Sequence, residues 1–279
     1  MDYKSILVHL DRGARTKERL ELAFGLASAC DAHLVGLFAL SSPRIPSYAI
    51  AEAESAVREA EARYRDQALR SAEVVFRAAA ARHGRAKSEW RASARDALDA
   101  VRLSARYADL VIAGQHEFGD DGSASGVAPD FADELVLSAG RPVLLVPYAG
   151  KFERIGRRVL VAWSASREAA RALTDALPLL KRAENVEVVA FQPHKADHGE
   201  QPGADIGLFL ARHGVKVTAS EQHGGEVDVG AQILSRAADL DVDLIVMGAY
   251  GHSRIRELVL GGATRTLLES MTAPTLMSH

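Results

Sequence analysis

Short runs of apolar residues recur along the chain, each followed by a polar turn and then by a stretch with apolar positions three and four apart. The runs at 5–10, 34–40, 108–113 and 142–147, and again at 158–163, 186–191, 242–247 and 274–278, have the length of buried strands. Between the first two, Leu20, Ala23, Phe24, Ala27 and Cys30 fall on one stripe of a helix near 16–30. A helix is expected near 166–183, where Pro178 removes a donor and marks a point of kinking. Alternation of strand and helix predicts parallel sheets with helices on both faces, because a parallel crossover needs a covering element.

The unit is written twice. SILVHLD (5–11) matches RVLVAWS (158–164), ADLVIAG (108–114) matches VDLIVMG (242–248), and RPVLLVP (141–147) matches APTLMSH (273–279). The offsets are 158 − 5 = 153, 242 − 108 = 134 and 273 − 141 = 132, so order is kept while the first half carries extra residues after its second strand. The surplus holds a loop with two prolines and an Ala/Glu/Arg-rich stretch from Ala51 to about Arg82, which reads as one long helix. A solvated helix packed on its own half is the favoured reading of that stretch, with a partner-binding arm as the other. A polar linker near 148–157 separates two expected domains, 1–150 and 151–279.

Composition removes several classes of function. Hydrophobic residues make up 48% and charged residues 25%, enough apolar material for a packed core. The 34 basic and 37 acidic residues leave a net charge of −3, which offers no long-range attraction to nucleic acid or to an anionic membrane. No window approaches the ~18 uninterrupted apolar residues of a membrane span. The single cysteine, Cys30, reads as helix core and suits a reducing compartment. The N-terminus enters a strand at once, without the pattern of a signal peptide, so a cytoplasmic protein is expected.

The segment MGAYGHSRIRELVLGGATRTLLE (247–269) stands where open parallel sheets bind ligands, at the carboxyl end of a strand. Gly248 and Gly251 follow the strand at once, and Gly261-Gly262-Ala263-Thr264 opens a helix whose first backbone N–H groups suit an anion. The fingerprints GxxxxGK[ST] and GxGxxG are both absent there, which removes the P-loop and dinucleotide readings. Two readings of the glycines stay open at this level: a phosphate site, or tight turns and helix packing. His194, His198, His213 and His223 read as solvated loop residues rather than metal ligands, since prolines and glycines interrupt their segment and no cysteine joins them. Within the glycine segment, His252 and Arg254 are the side chains best placed to meet phosphates.

The segment resembles the nucleotide-binding motif of the universal stress protein family, G-x2-G-x9-G followed by Ser or Thr. Two residues separate Gly248 from Gly251 and nine separate Gly251 from Gly261. The resemblance covers both halves, as in tandem members, and implies in each an open, mostly parallel five-stranded sheet of the adenine nucleotide alpha hydrolase-like kind. It further implies phosphate and ribose contacts from Gly248, Gly251, Gly261, Gly262, Ala263 and Thr264, Met247 near the ribose or base, and Ala162 and Trp163 beside the adenine. ATP, with or without magnesium, is the implied ligand, and a stress-response regulatory module the implied role. A non-binding scaffold with a vestigial site and a slow magnesium-dependent ATPase are the alternatives. No catalytic residue can be named, because Glu257 is the lone carboxylate inside the segment, with Ser253 and Thr264 as hydroxyls.

Two departures from the motif stand out. Gly262 occupies the place of the hydroxyl after the third glycine, and Trp163 replaces the aspartate usual at the end of the first strand, either stacking on adenine or filling its pocket. The first half keeps that aspartate, Asp11, and loses the glycines: Glu117 aligns with Gly251 and Pro129 with Gly261. Acidic Glu117, Asp120, Asp121 and Asp130 would repel phosphate there, so the first half is expected to bind no ATP, or to bind it much more weakly than the second. Pairing through the last strand is common in the family; the copies at 142–147 and 274–278 are expected to meet within the chain, which leaves a further homodimer and a protein partner open.

Overall fold

The computed structural model describes residues 2–41, 54–84, 87–117, 119–192, 203–251 and 262–279. The first half runs β1 (Ser5–Leu10), α1 (Thr16–Cys30), β2 (His33–Phe38), α2 (Glu54–Arg82), β3 (Ser88–Ala92), α3 (Ala97–Ala105), β4 (Leu110–Gly114), α4 (Phe131–Ser138) and β5 (Val143–Val146). The second runs β6 (Arg158–Trp163), α5 (Arg167–Leu180), β7 (Asn185–Phe191), α6 (Ala204–Arg212), β8 (Val217–Gln222), α7 (Val229–Asp239), β9 (Leu244–Gly248), α8 (Ala263–Ser270) and β10 (Thr275–Ser278).

All ten strands form one sheet, in the order β3-β2-β1-β4-β5-β10-β9-β6-β7-β8. Each half contributes five parallel strands in the same internal order, reversed about the middle. At the seam β5 and β10 pair antiparallel, Val143 with Met277, Leu144 with Leu276 and Leu145 with Thr275, so the last strands do meet within the chain. Strands near the seam are buried on both faces, which is why they read as unbroken apolar runs.

Successive side chains point to opposite faces and build two cores. Val8, Ile112, Val161, Val246 and Leu276 pack beneath α1, α2 and α5, and Leu7, Val111, Leu160, Ile245 and Met277 beneath α3, α4, α7 and α8. The aspartate shared by the repeat copies ties strand starts together: Asp109 accepts the N–H groups of Lys4 and Ser5, and Asp243 those of Gly156, Arg157 and Arg158. Among the described residues no helix is long and apolar enough to cross a membrane.

One expected boundary moves, one is described only in part, and two strands were not expected. The long helix is described from Glu54, and residues 51–53 lie outside the described residues. α5 closes at Leu180 rather than 183; Pro178 has no N–H for its last turn, and the chain leaves through short bonds from Arg182 to Leu179 and from Ala183 to Leu180. Strands β3 (SEWRA) and β8 (VTASEQ) have no counterpart in the apolar pattern because they are the sheet's two edges, where every position is half-buried or exposed.

Candidate functional site

The carboxyl ends of β6 and β9 lie side by side, with Val161 paired to Val246 and Ala162 to Met247. Beyond β6, Ser164 and Ala165 lead to Ser166, whose hydroxyl caps α5 by accepting the Ala169 N–H at 3.1 Å. Beyond β9 come Gly248, Ala249, Tyr250 and Gly251. Across from this turn Gly262 stands at the N-cap of α8 and, as a glycine, brings no capping side chain of its own. The hydroxyl of buried Thr264, in its first turn, accepts the Tyr250 N–H at 3.2 Å. Thus Met247, Gly248, Gly251, Gly262, Ala263 and Thr264 are drawn around one strand end, with Ala162 beside them; His252, Arg254 and Gly261 lie outside the described residues.

The reason for the first two glycines is visible in their surroundings. A Cβ on Gly248 would stand 2.4 Å from the backbone nitrogen of Ala169, and one on Gly251 would stand 3.0 Å from both Glu168 Oε2 and Ser166 Oγ. The N-terminal turn of α5 therefore rests directly on the strand end. Glu168 is buried there and paired with the exposed Arg167. Burial pushes its carboxyl up, and the hydrogen bond and charge of Arg167, with the bonds from the Glu168 backbone and Ser166, together outweigh this and hold it below its ordinary value.

Trp163 stands apart from this group. Its side chain packs with the core beneath α1, α2 and α5, whereas Ala162 and Met247 face the opposite core. The strand registers also pair Val8 with Ile112 and Val161 with Val246, so Ser164, not Trp163, occupies the place of Asp11. Consecutive strand residues alternate faces, and a one-residue difference in alignment moves a side chain to the other side of the sheet.

The matching cleft in the first half is filled from within. Asp11 accepts the Gly13 N–H at 2.9 Å and the Thr16 hydroxyl at 2.5 Å, and pairs with the Arg19 guanidinium at 2.8 Å, with side chains only 10% and 4% exposed. Arg19 also donates to the His9 carbonyl at 3.0 Å. Burial alone would raise the Asp11 pKa, and Arg19 together with His9 and the Thr16 hydrogen bond outweighs it, leaving the pKa lowered. A Cβ on Gly114 would lie 2.2 Å from Arg19 Nη1, so this glycine makes room for a guanidinium. The remaining cavity, lined by Asp11, Arg15, Arg19, Gln115, His116 and Tyr148 among others, is about 50 Å³. Small-molecule sites run to about 300–1,000 Å³.

The loop above this cleft is folded around its own anion. The Asp120 carboxylate accepts the N–H groups of Gly122, Ala124 and Ser125 at 3.0 to 3.1 Å. Asp121 accepts that of Ser123, and Arg12 holds the carbonyls of Ser123, Ala124 and Ser125. Two of the acidic residues read as repelling phosphate thus take backbone donors for themselves. Sequence reasoning missed Arg19, although a charged residue among Thr16, Leu20 and Ala23 on a buried stripe was the available signal.

The remaining candidates have ordinary roles. His213 meets the Phe209 carbonyl at 2.9 Å and exposed His223 lies near Glu221; His194 and His198 are outside the described residues. Among the described residues no three His, Cys, Asp or Glu side chains converge as metal ligands.

Residues 156–279 match the universal stress protein family. A universal stress protein of Synechocystis sp. is 50% identical over 38 residues, a match that spans 14% of this chain and 13% of that relative. The fold is similar to a universal stress protein of Archaeoglobus fulgidus, with a TM-score of 0.72 at 15% identity over 98% of this chain and 95% of the other. It is also similar to a putative universal stress protein of Pseudomonas aeruginosa, with a TM-score of 0.56 at 15% identity over 99% and 93% of the two chains.

Proposed function

Residues 156–279 of this chain belong to the universal stress protein family, and from that premise we propose that the second half binds an adenine nucleotide, ATP for preference, and serves as a stress-response regulatory module. The first half is then a second copy of the same domain, divided from the other near 150, whose site has closed. The observation that carries this reading is the start of α8: a helix whose N-cap, Gly262, brings no capping side chain of its own, beside the Gly248–Gly251 turn at the carboxyl ends of β6 and β9. Backbone N–H groups at such a start suit a phosphate, and the helix dipole adds to the attraction. On this reading Gly248, Gly251, Gly261, Gly262, Ala263 and Thr264 supply the phosphate and ribose contacts, His252 and Arg254 are further phosphate partners, and Ala162 and Met247 stand toward the base. Arg167 neutralises Glu168 beside Gly251; magnesium arriving with ATP would neutralise phosphate charge in the same way.

Trp163 plays no part in this version of the site, because its side chain lies with the other core. Nucleotide binding changes the surface offered to a protein partner, and the change draws its energy from preferential binding to one state. A scaffold without ligand is the second reading, favoured by one observation: Gly248 and Gly251 are both demanded by the approach of α5, ligand or not. The test is to denature freshly purified protein, identify any released small molecule by mass spectrometry, and repeat with Gly261→Asp. An adenine nucleotide released from the natural protein and lost from the variant supports the proposal; no nucleotide from either, with no binding at millimolar ATP, supports the scaffold. Magnesium-dependent phosphate release that vanishes in the variant would add slow hydrolysis to the role.

A further inference from the structure

The turn after β9 is fastened to the other half of the molecule. Tyr250, between Gly248 and Gly251, has φ +57°, in the left-handed region that a tyrosine occupies only when its surroundings hold it there. Its N–H is bound by Thr264 Oγ1 at 3.2 Å, which ties it to the first turn of α8. Its ring meets His279 edge-on at 6.3 Å between centroids. Its hydroxyl crosses the seam and donates to Asp133 Oδ1 in α4 at 2.8 Å. Burial raises the Asp133 carboxyl above its ordinary pKa while the Tyr250 hydrogen bond lowers it, so the two groups share a partly desolvated contact.

A second bridge reaches α8 itself. Gln115, one residue past β4 and buried, donates from Nε2 to the Leu268 carbonyl at 2.9 Å and accepts the Tyr148 N–H at 3.2 Å. The first half therefore grips both parts of the second-half site: Asp133 holds the turn, and Gln115 holds the helix whose start faces it. A hydrogen bond from a phenol to a carboxylate is of the same order as the strain of a left-handed tyrosine, so losing that bond is enough to release the turn.

We propose that Asp133 is a positioning residue for the second-half site, acting through Tyr250 to hold the 249–251 turn against the start of α8. Its consequence for ligand affinity rests on the nucleotide reading above; the latch itself is a property of the unliganded chain. The test is amide hydrogen exchange in the full chain, comparing Tyr250→Phe, Asp133→Ala, Asp133→Asn and the Tyr250→Phe/Asp133→Ala double variant. The Tyr250 amide is expected to exchange about tenfold faster in the Phe and Ala variants, no faster still in the double variant, and near the natural rate in Asp133→Asn, which keeps an acceptor. Amides of the β5–β10 seam stay unchanged, and ATP affinity falls by a similar factor in the same variants. An unmoved Tyr250 amide, or seam amides that accelerate equally, overturns the latch. Absence of ATP binding by the natural protein refutes the nucleotide reading and leaves the exchange result to decide the latch.

Discussion

At the end of β4 the missing side chain of Gly114 makes room for the Arg19 guanidinium, while at the end of β9 the missing side chain of Gly248 makes room for the backbone of α5. The residue matching Arg19 is Ala172 (172 − 153 = 19), small enough for the helix to settle directly onto the sheet. One half therefore keeps a buried ion pair between helix and strand, and the other has closed that gap. Above the cleft Asp120 supplies the first half with an internal anion for its loop amides; the N-cap residues of α4 and α8, Asp130 and Gly262, are alike in making no side-chain cap bond. Two copies of one fold thus meet the same place, a strand end beside a helix start, once with their own side chains and once, on the proposed reading, in a form that takes a ligand.

The largest expected effect comes from Arg19. Arg19→Ala strands Asp11 as a buried, unpaired carboxylate and should cost about 3–5 kcal/mol in urea denaturation. Arg19→Met with Asp11→Leu should recover part of that loss, because no buried charge is left unpaired, while the Gly13 N–H, the Thr16 hydroxyl and the His9 carbonyl each lose a partner. A single variant as stable as the natural protein would mean the pair does not hold the first half together.

The glycine pair gives a sharper comparison at lower cost. Gly248→Ala drives a methyl into the α5 backbone and should lose about 2–3 kcal/mol. Gly114→Ala meets the tip of a long side chain and should lose about 1 kcal/mol or less, since Arg19 can shift. Equal losses measured by thermal unfolding would erase the distinction drawn between the two strand ends.

Asp120 carries the smallest effect and a pH signature. Burial raises its pKa, and the hydrogen bonds from Ser125, Ala124 and Gly122 more than reverse this, so the folded-state value lies below the ordinary 3.8. A lowered folded-state pKa means stability that is fully present above the unfolded value and is lost as pH falls through the folded one. Proteolysis within 119–128 should therefore rise below about pH 4 in the natural protein, and at neutral pH in Asp120→Ala. Susceptibility in Asp120→Ala that matches the natural protein at every pH would show that the loop does not depend on its carboxylate.

How much of this was legible in the sequence depended on where each residue sits. Strands buried on both faces announced themselves as apolar runs, and the repeat fixed their order and the meeting of β5 with β10. The edge strands β3 and β8 carry polar residues on their open sides and gave no such signal. Gly248 and Gly251 were found by spacing, yet spacing could not tell a phosphate from a helix backbone as the reason for them. Trp163 looked like a counterpart of Asp11 because it ends a strand, although the repeat offset of 153 already set Ser164 against Asp11, and strand pairing gives the same register. Arg19, Asp133 and Tyr250 act across distances of fold rather than of sequence, and their partners could not be read from neighbours.

Calorimetric titration of the nucleotide-free chain with ATP tests the difference between the halves most directly. One site per chain, lost in Gly261→Asp and retained in Asp120→Ala, is the predicted result. Two sites per chain, or a single site that survives Gly261→Asp, would contradict it.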